Sequence, residues 1–431
     1  MEPARVAYTL LGTALLPLAP LRLWWRGRRE PGYRRWVGER FGRYHGTVAG
    51  PTFWIHAVSV GETRAAAPLV EHLKAAYPHA GVVLTHMTAA GRDTGRALFG
   101  DRVMQAWLPY DAPFAVDSFY AHYRPAAGFL LETELWPNLI AQAQAARVPV
   151  YLINARMSER SAALYRRFRA LTRPMLLRLA GVAAQTAADA ARLTALGAAK
   201  PIVTGNLKFD VSAPSGALEL SAALRRRFGT ARPTWLAAST RDGEEALLLD
   251  ALARRALPGN PLLVLVPRHP QRFAAVADLL RARGIAFVRR SDAAPVPAEI
   301  GVVLGDSMGE MAAYCGASDV AFIGGSLLPL GGQNLIEALS VGTPVVVGPH
   351  MFNFAEATAG AIAAGAALPV ADADALLSTL GELLADPVRR AAMSAAARSF
   401  HDTHRGAADR LWAWLAPQLP AAAALSRQTP G

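Results

Sequence analysis

The residues from Gly324 to Phe354, GGSLLPLGGQNLIEALSVGTPVVVGPHMFNF, read as a strand end, a glycine loop, a helix, a tight turn, a second strand and a loop. Glycines at 324, 325, 331 and 332 mark places where a backbone must approach something closely. Asn334 and Glu337 stand one helical turn apart at the start of the helix. Backbone N–H groups there favour a phosphate, and a carboxylate one turn in can accept from ribose hydroxyls. A second chemical turn, SVGE, spans Ser59 to Glu62. Gly61 lets the chain pass close to a ligand. Glu62, in the first turn of a helix, has the chemistry of a general base for a substrate hydroxyl. Local sequence alone favours a carboxylate that only complements the helix dipole.

Similar strand-end turns recur. THMTAAGRDTGR carries Thr88, Gly91 and Arg92, which suit either an anionic group or a capped helix start. In LLETELWPN, Glu132 and Glu134 share a face if the strand continues through them; if it turns there, at most one reaches a substrate, and Trp136 is expected in the core. NARMSERS adds Asn154, Arg156, Ser158 and Arg160. Lys208 in TGNLKFD can meet a phosphate or carboxylate, or pair with Asp210. VPRHPQRF places Arg268 and His269 just beyond a strand, where an arginine can clamp a phosphate. GDSMGE (Gly305–Glu310) and AASTRDGEE (Ser239, Thr240, Glu244) repeat the glycine-turn theme.

The elements that must position these turns alternate along the chain. Short apolar runs are expected as strands at Phe53–Ser59, Val82–Thr88, Val103–Leu108, Gly128–Leu131, Val148–Ile153, Val182–Gln185 and Ile202–Thr204. The second half repeats the rhythm at Trp235–Ala238, Leu262–Pro267, Ala286–Val288, Gly301–Leu304, Val320–Ile323 and Pro344–Val347. Helices lie between them, including Glu62–Ala76 and Ser158–Leu179, and the region Ala375–Leu419 is helical. Strands of this kind, covered on both faces and alternating with helices, imply parallel sheets and βαβ crossovers. The seam falls near VSAPSGALEL, which follows Asp210. The expected plan is an α/β chain of two doubly wound, Rossmann-like domains, residues 31–210 and 211–420, after an N-terminal segment 1–30. Ligand turns at strand ends should converge on the cleft between the domains. The tail after Pro420 is expected to fray.

The 431 residues suffice for two cores, and 52% hydrophobic with 18% charged content excludes a disordered chain. The net charge of +12 favours anionic partners, but no zinc finger, helix-turn-helix or aromatic RNA-binding pattern is present, so nucleic acid is not expected. A single cysteine, Cys315, excludes a disulfide framework. Val6–Leu21 carries no charge, and Arg22, Trp24, Trp25, Arg26, Arg28 and Arg29 follow at once. That pattern suits an anchor or interfacial helix whose basic edge stays at an anionic surface. A cleaved signal peptide fits less well, because bulky basic residues follow the apolar run. HExxH and Cys/His clusters are absent, as are a P-loop, a GxSxG elbow and a GxGxxG turn after the first strand. No metal or other cofactor is expected.

The strings HAVSVGE, THMT, LPYD, ETELWPN, NARMSERS, TGNLKFD, PRHPQRF, GDSMGE, GGSLLPLGGQN and GPHMFNF occur in this order between His56 and Phe354. With the apolar N-terminus, they resemble the Kdo transferases, GT-B glycosyltransferases that add 3-deoxy-D-manno-octulosonic acid (Kdo) to the lipid A precursor. The resemblance implies a CMP-Kdo donor on the second domain and Glu62 as catalytic base. It implies donor contacts from Arg268, Met308, Gly309, Gly332, Asn334, Glu337 and Lys208. Ser59, Gly61, Thr88, Arg92, Glu134 and Arg156 fall to the acceptor or the cleft. The implied partners are CMP-Kdo, a lipid A precursor and an anionic membrane surface, with an N-terminal anchor on the cytoplasmic face of the inner membrane. The family pattern is broken at His86, Ala90, Arg241, Gln333 and Ala338, all near the site. Rival readings are another nucleotide-sugar enzyme, such as a 2-epimerase or a different membrane-associated lipid glycosyltransferase, and a basic membrane-surface protein without catalysis.

Overall fold

A computed structural model describes residues 2–28, 30–46, 48, 50–211, 216–292 and 295–421. Arg29, part of the seam (residues 212–215) and the tail from residue 422 lie outside them. The chain divides into two units, Met1–Val211 with Arg405–Gly431, and Ser212–His404.

Each unit is built on a seven-stranded sheet. In the first, β1 (Thr52–His56), β2 (Gly81–His86), β3 (Met104–Trp107), β4 (Pro125–Leu131), β5 (Val150–Ala155), β6 (Gly181–Ala184) and β7 (Ile202–Val203) run in the order β3-β2-β1-β4-β5-β6-β7. In the second, β8 (Thr234–Thr240), β9 (Leu262–Pro267), β10 (Phe287–Arg289), β11 (Val302–Leu304), β12 (Val320–Ile323), β13 (Val345–Val347) and β14 (Ala367–Pro369) run in the order β10-β11-β9-β8-β12-β13-β14. The pairings are parallel. Strands such as β1, β5 and β9 are buried at every residue, which accounts for their unbroken apolar runs. The strand order reverses between β1 and β4 in the first sheet and between β8 and β12 in the second. Those reversals open a crevice beyond the strands' carboxyl ends, where doubly wound sheets take ligands.

The structure departs from the sequence reading in several places. β1 stops at His56 and β2 at His86, so Ser59 and Thr88 are free to cap helices. The predicted helix Glu62–Ala76 is two pieces, Val60–Ala65 and Ala67–Ala76, because Pro68 has no N–H to continue the ladder. The predicted helix Ser158–Leu179 is also two, Glu159–Arg167 and Arg169–Leu177, broken at Phe168, with Thr172 Oγ1 donating across the break to the Tyr165 carbonyl (3.0 Å). β14 is three residues long and carries no periodic signal of its own.

The C-terminal boundary differs most. The second domain was expected to reach residue 420, yet the chain from Arg405 onward belongs to the first unit. Helix Ala407–Leu415 buries Ala407, Leu411 and Leu415 in the same apolar layer as Phe53, Phe129 and Tyr151. Asp210 fixes its start by accepting from the N–H groups of Gly406 and Ala408 (both 2.6 Å). Tyr77 donates to the Pro420 carbonyl at its far end (3.0 Å). Apolar cover for sheet one therefore comes from both ends of the chain. Leu411→Ala is expected to cost about 2–5 kcal/mol, read as a lower urea midpoint.

Candidate functional site

At the first reversal the chain leaves β1 through Ser59, which caps helix Val60–Ala65. Ser59 Oγ accepts from the Glu62 N–H (3.4 Å) and donates to Glu62 Oε1 (2.8 Å), and Val58 N–H donates to Glu62 Oε2 (2.8 Å). This is a capping box in which the N–H before the cap replaces the cap's own, and it fixes the carboxylate by both oxygens. Gly61 lies beside Lys208, whose Cε is 3.9 Å from where a Cβ would stand.

Two further carboxylates come from the end of β4. The strand stops at Leu131, so the continuing-strand alternative does not hold. Glu132 adopts φ +60°, an uncommon left-handed conformation for a non-glycine residue. Its Oε1 meets Lys208 Nζ at 2.7 Å. Lys208 therefore pairs with Glu132 within the first unit. Glu134 Oε2 accepts from Trp136 Nε1 (3.0 Å) and lies 3.8 Å from His56 Nε2, longer than a hydrogen bond. Trp136 is partly buried and packs on the core, as expected.

Burial pushes the Glu62 carboxyl up to about 7, and the negative charges of Glu132 and Glu134 add to that push. The hydrogen bonds from Val58 and Ser59 act the other way. Burial would also raise Glu134, but His56 and Trp136 hold it below the usual carboxylate range. One carboxyl poised near neutrality and another kept ionised beside it is the separation that acid–base chemistry uses.

Sequence reasoning gave no role to His56 and none to Asn154 beyond its place in the NARMSERS turn. Both are fully buried. His56 Nδ1 bonds Thr85, while its Nε2 has no hydrogen-bond partner and faces Glu134. Asn154, at φ +49°, accepts from the Leu207 N–H (3.0 Å) and so ties β5 to the Lys208 turn. An asparagine directly after a strand is the signal that was available, since Asn tolerates left-handed backbone better than most residues.

Other predicted residues serve the frame. Thr88 caps helix Ala89–Phe99 and donates to the Val58 carbonyl (2.7 Å), bracing the SVGE turn. Arg92 is 3% exposed and makes a two-pronged ion pair with Glu39 (2.7 and 3.2 Å) beneath the Trp36 ring, so its guanidinium is committed to the fold. Arg156 is half-buried, and its carbonyl accepts from Thr133 (2.6 Å). His86 is a core residue bonded to the Ala57 carbonyl and to Gln105; burial pulls its pKa down to about 4.

At the second reversal, Ser239 at the end of β8 adopts φ +57° against Gly324, where a Cβ would meet the Ser239 carbonyl at 2.6 Å. Glu244 is fully buried, and its carboxylate accepts from the N–H groups of Arg241 (2.9 Å), Gly325 and Leu327 (3.0 Å). Two N–H groups of the glycine loop are thus taken by a carboxylate. The loop's glycines answer a second loop: a side chain at Gly331 would strike Asn353, and one at Gly332 would strike Met351. His350 and Asn353 N–H groups bond the Ser326 and Gly331 carbonyls (3.0 and 2.9 Å).

This paired loop carries the remaining residues. Asn334 accepts from the Ile336 N–H (3.0 Å) and donates to Glu337 Oε1 (3.1 Å), so the two expected ribose-and-phosphate residues are adjacent. Arg268 Nε donates to Gln333 Oε1 (3.1 Å), which gives the unusual Gln333 a definite role in holding that arginine. Arg241 lies beside Gln333 at Gly325. Met308 is 53% exposed in the GDSMGE turn, and Gly309 there takes φ +81° with open space beyond it. Ala338 is in the core and Ala90 is exposed. Among the described residues no cluster of His, Cys, Asp and Glu has metal-holding geometry.

Comparison with known proteins decides the family. Residues 35–211 match the family model of 3-deoxy-D-manno-octulosonic-acid transferase. A 3-deoxy-D-manno-octulosonic acid transferase of Bordetella pertussis is 47% identical over 94% of this chain and 97% of its own length. The chain belongs to the Kdo transferase family. The Kdo transferase of Haemophilus influenzae is 39% identical over 96% of this chain and 99% of its own. Among solved structures, a UDP-GlcNAc 2-epimerase of Neisseria meningitidis superposes with a TM-score of 0.59 at 16% identity, covering 85% of this chain and all of that one. That likeness shows the GT-B-type fold.

Proposed function

We propose that this Kdo transferase moves Kdo from CMP-Kdo to a hydroxyl of the lipid A precursor lipid IVA, with inversion at the anomeric carbon. Glu62 takes the proton of the acceptor hydroxyl as its oxygen forms the new bond to that carbon. The bond from the anomeric carbon to the CMP phosphate breaks, and CMP leaves with the electron pair. The observation that carries the reading is the Glu62 carboxyl, fixed by its capping box at the β1/β4 reversal and held near 7. A base of that pKa is about half ionised at neutral pH and still basic. Relatives named as Kdo transferases over nearly the full length support the donor sugar.

On the second unit, Arg268 meets the phosphate charge and Asn334 and Glu337 meet the ribose, with Met308 and Gly309 at the base. Glu337→Ala is expected to weaken CMP binding at least about tenfold, the loss of one charged hydrogen bond. Calorimetry with CMP checks it; unchanged affinity refutes the ribose contact. Lys208, paired with Glu132, serves the acceptor side. The protein works at the cytoplasmic face of the inner membrane, where its arginines draw in anionic lipid. The test is transfer itself: CMP release from CMP-Kdo that depends on added lipid A precursor.

A further inference from the structure

The N-terminal helical segment runs from Pro3 to Arg26, passing through a 3₁₀ turn at Leu16–Leu18 that contains Pro17. At 1.5 Å per residue its 24 residues span about 36 Å, enough to cross a hydrocarbon core of about 30 Å. Both of its ends, however, are fastened to the first unit.

At the start, Glu2 makes a two-pronged ion pair with Arg178 (2.9 and 3.3 Å). Thr9 donates to Asn138 (3.0 Å), and the Tyr8 phenol bonds the half-buried Asp111, which also accepts from the N–H groups of Asn138 and Leu139 (2.9 and 2.7 Å). Glu2, Arg5, Tyr8 and Thr9 recur at helical spacing, so they form one polar stripe turned to the unit. At the other end Leu23 is buried with Tyr33, Ala89 and Trp107. Arg26 donates to the Tyr33 hydroxyl (2.7 Å), and Arg34 donates to the Trp24 carbonyl (3.0 Å). A helix that spans puts its two ends on opposite sides of the bilayer. One held at both ends by the same folded unit cannot.

We infer that this helix lies in the plane of the membrane and inserts its outer face into a single anionic leaflet. The inference rests on the membrane-surface reading above and adds the topology. Leu10, Leu11, Leu15, Leu18, Leu21, Trp24 and Trp25 are each more than half exposed and make up the apolar face. Exposed Arg22, Arg28, Arg34 and Arg35 stand at its end, which matches anionic headgroups in charge. The occupant is therefore a phospholipid monolayer surface.

The test uses the full chain with Pro3→Cys or Arg28→Cys, both at exposed positions, bound to sealed vesicles of phosphatidylethanolamine and phosphatidylglycerol. The native Cys315 is buried and gives the unlabelled background. A membrane-impermeant maleimide added outside is expected to label both variants equally, and permeabilisation should not increase either. Labelling of Pro3→Cys that appears only after permeabilisation would overturn the in-plane arrangement. Protein that fails to float with the vesicles would instead remove the membrane reading itself.

Discussion

Glu62→Gln should lower the rate of Kdo transfer by roughly a hundredfold to ten-thousandfold, the range a general base contributes, while the protein stays folded. Glutamine keeps the capping box: its carbonyl oxygen can accept from Val58 N–H, and its amide can donate to Ser59 Oγ. Stability has a definite sign. The Glu62 carboxyl is raised from 4.5 to about 7, so its protonated form is favoured by the fold. The stabilisation it lends is complete below pH 4.5 and is lost as the pH rises through 7. The charged form is disfavoured by on the order of 3 kcal/mol. Glutamine resembles the protonated form, so at pH 8 the variant should melt no lower than the parent, and above it if the strain is fully relieved. The wild-type rate should climb with pH through about 7 and then level, because the base must be ionised. Urea titrations and a pH profile of transfer check both halves. Near-normal turnover by the variant would remove Glu62 from the base role.

Glu244→Ala should do comparable damage by a different route. Its carboxylate is fully buried and accepts from three backbone N–H groups, two of them in the glycine loop. Hydrogen bonds to a charged group contribute about 1.5–3 kcal/mol each, and alanine offers these donors no acceptor. A loss of about 4 kcal/mol or more is expected. Because the same loop leads to Asn334 and Glu337, CMP affinity should fall more than tenfold even in conditions where the variant is folded. Glu244→Gln should fall between, since its amide offers one acceptor oxygen and sets a donor against a donor. Urea midpoints and CMP calorimetry measure the two effects. An alanine variant with unchanged midpoint would show that the carboxylate does not hold the loop.

Much of this was legible because it is local. Parallel strands buried on both faces are short apolar runs, and the motifs fall directly after them, so alternation and strand ends could be read off the chain. Ser59 and Glu62, three residues apart, declared a helix start. The partners across the sheet order could not be read in this way. Lys208 finds Glu132, Glu244 finds Gly325 and Leu327, and Arg92 finds Glu39, each more than fifty residues away in sequence. Such pairs depend on which strands lie side by side, and short-range pattern does not carry that. For the same reason the second loop, whose Asn353 and Met351 a side chain at Gly331 or Gly332 would strike, could not be foreseen. The helix at Ala407–Leu415 looked like its neighbours in composition; only the apolar layer around Phe53 and Tyr151 gave it a place.

The most direct test of Kdo transfer is a mass measurement. The full-length protein is incubated with CMP-Kdo and lipid IVA, and the lipid products are weighed. The account predicts lipid carrying one or more added Kdo residues with matching release of CMP, both lost in Glu62→Gln. Unmodified lipid with the donor intact, or the same product yield from Glu62→Gln, would contradict it.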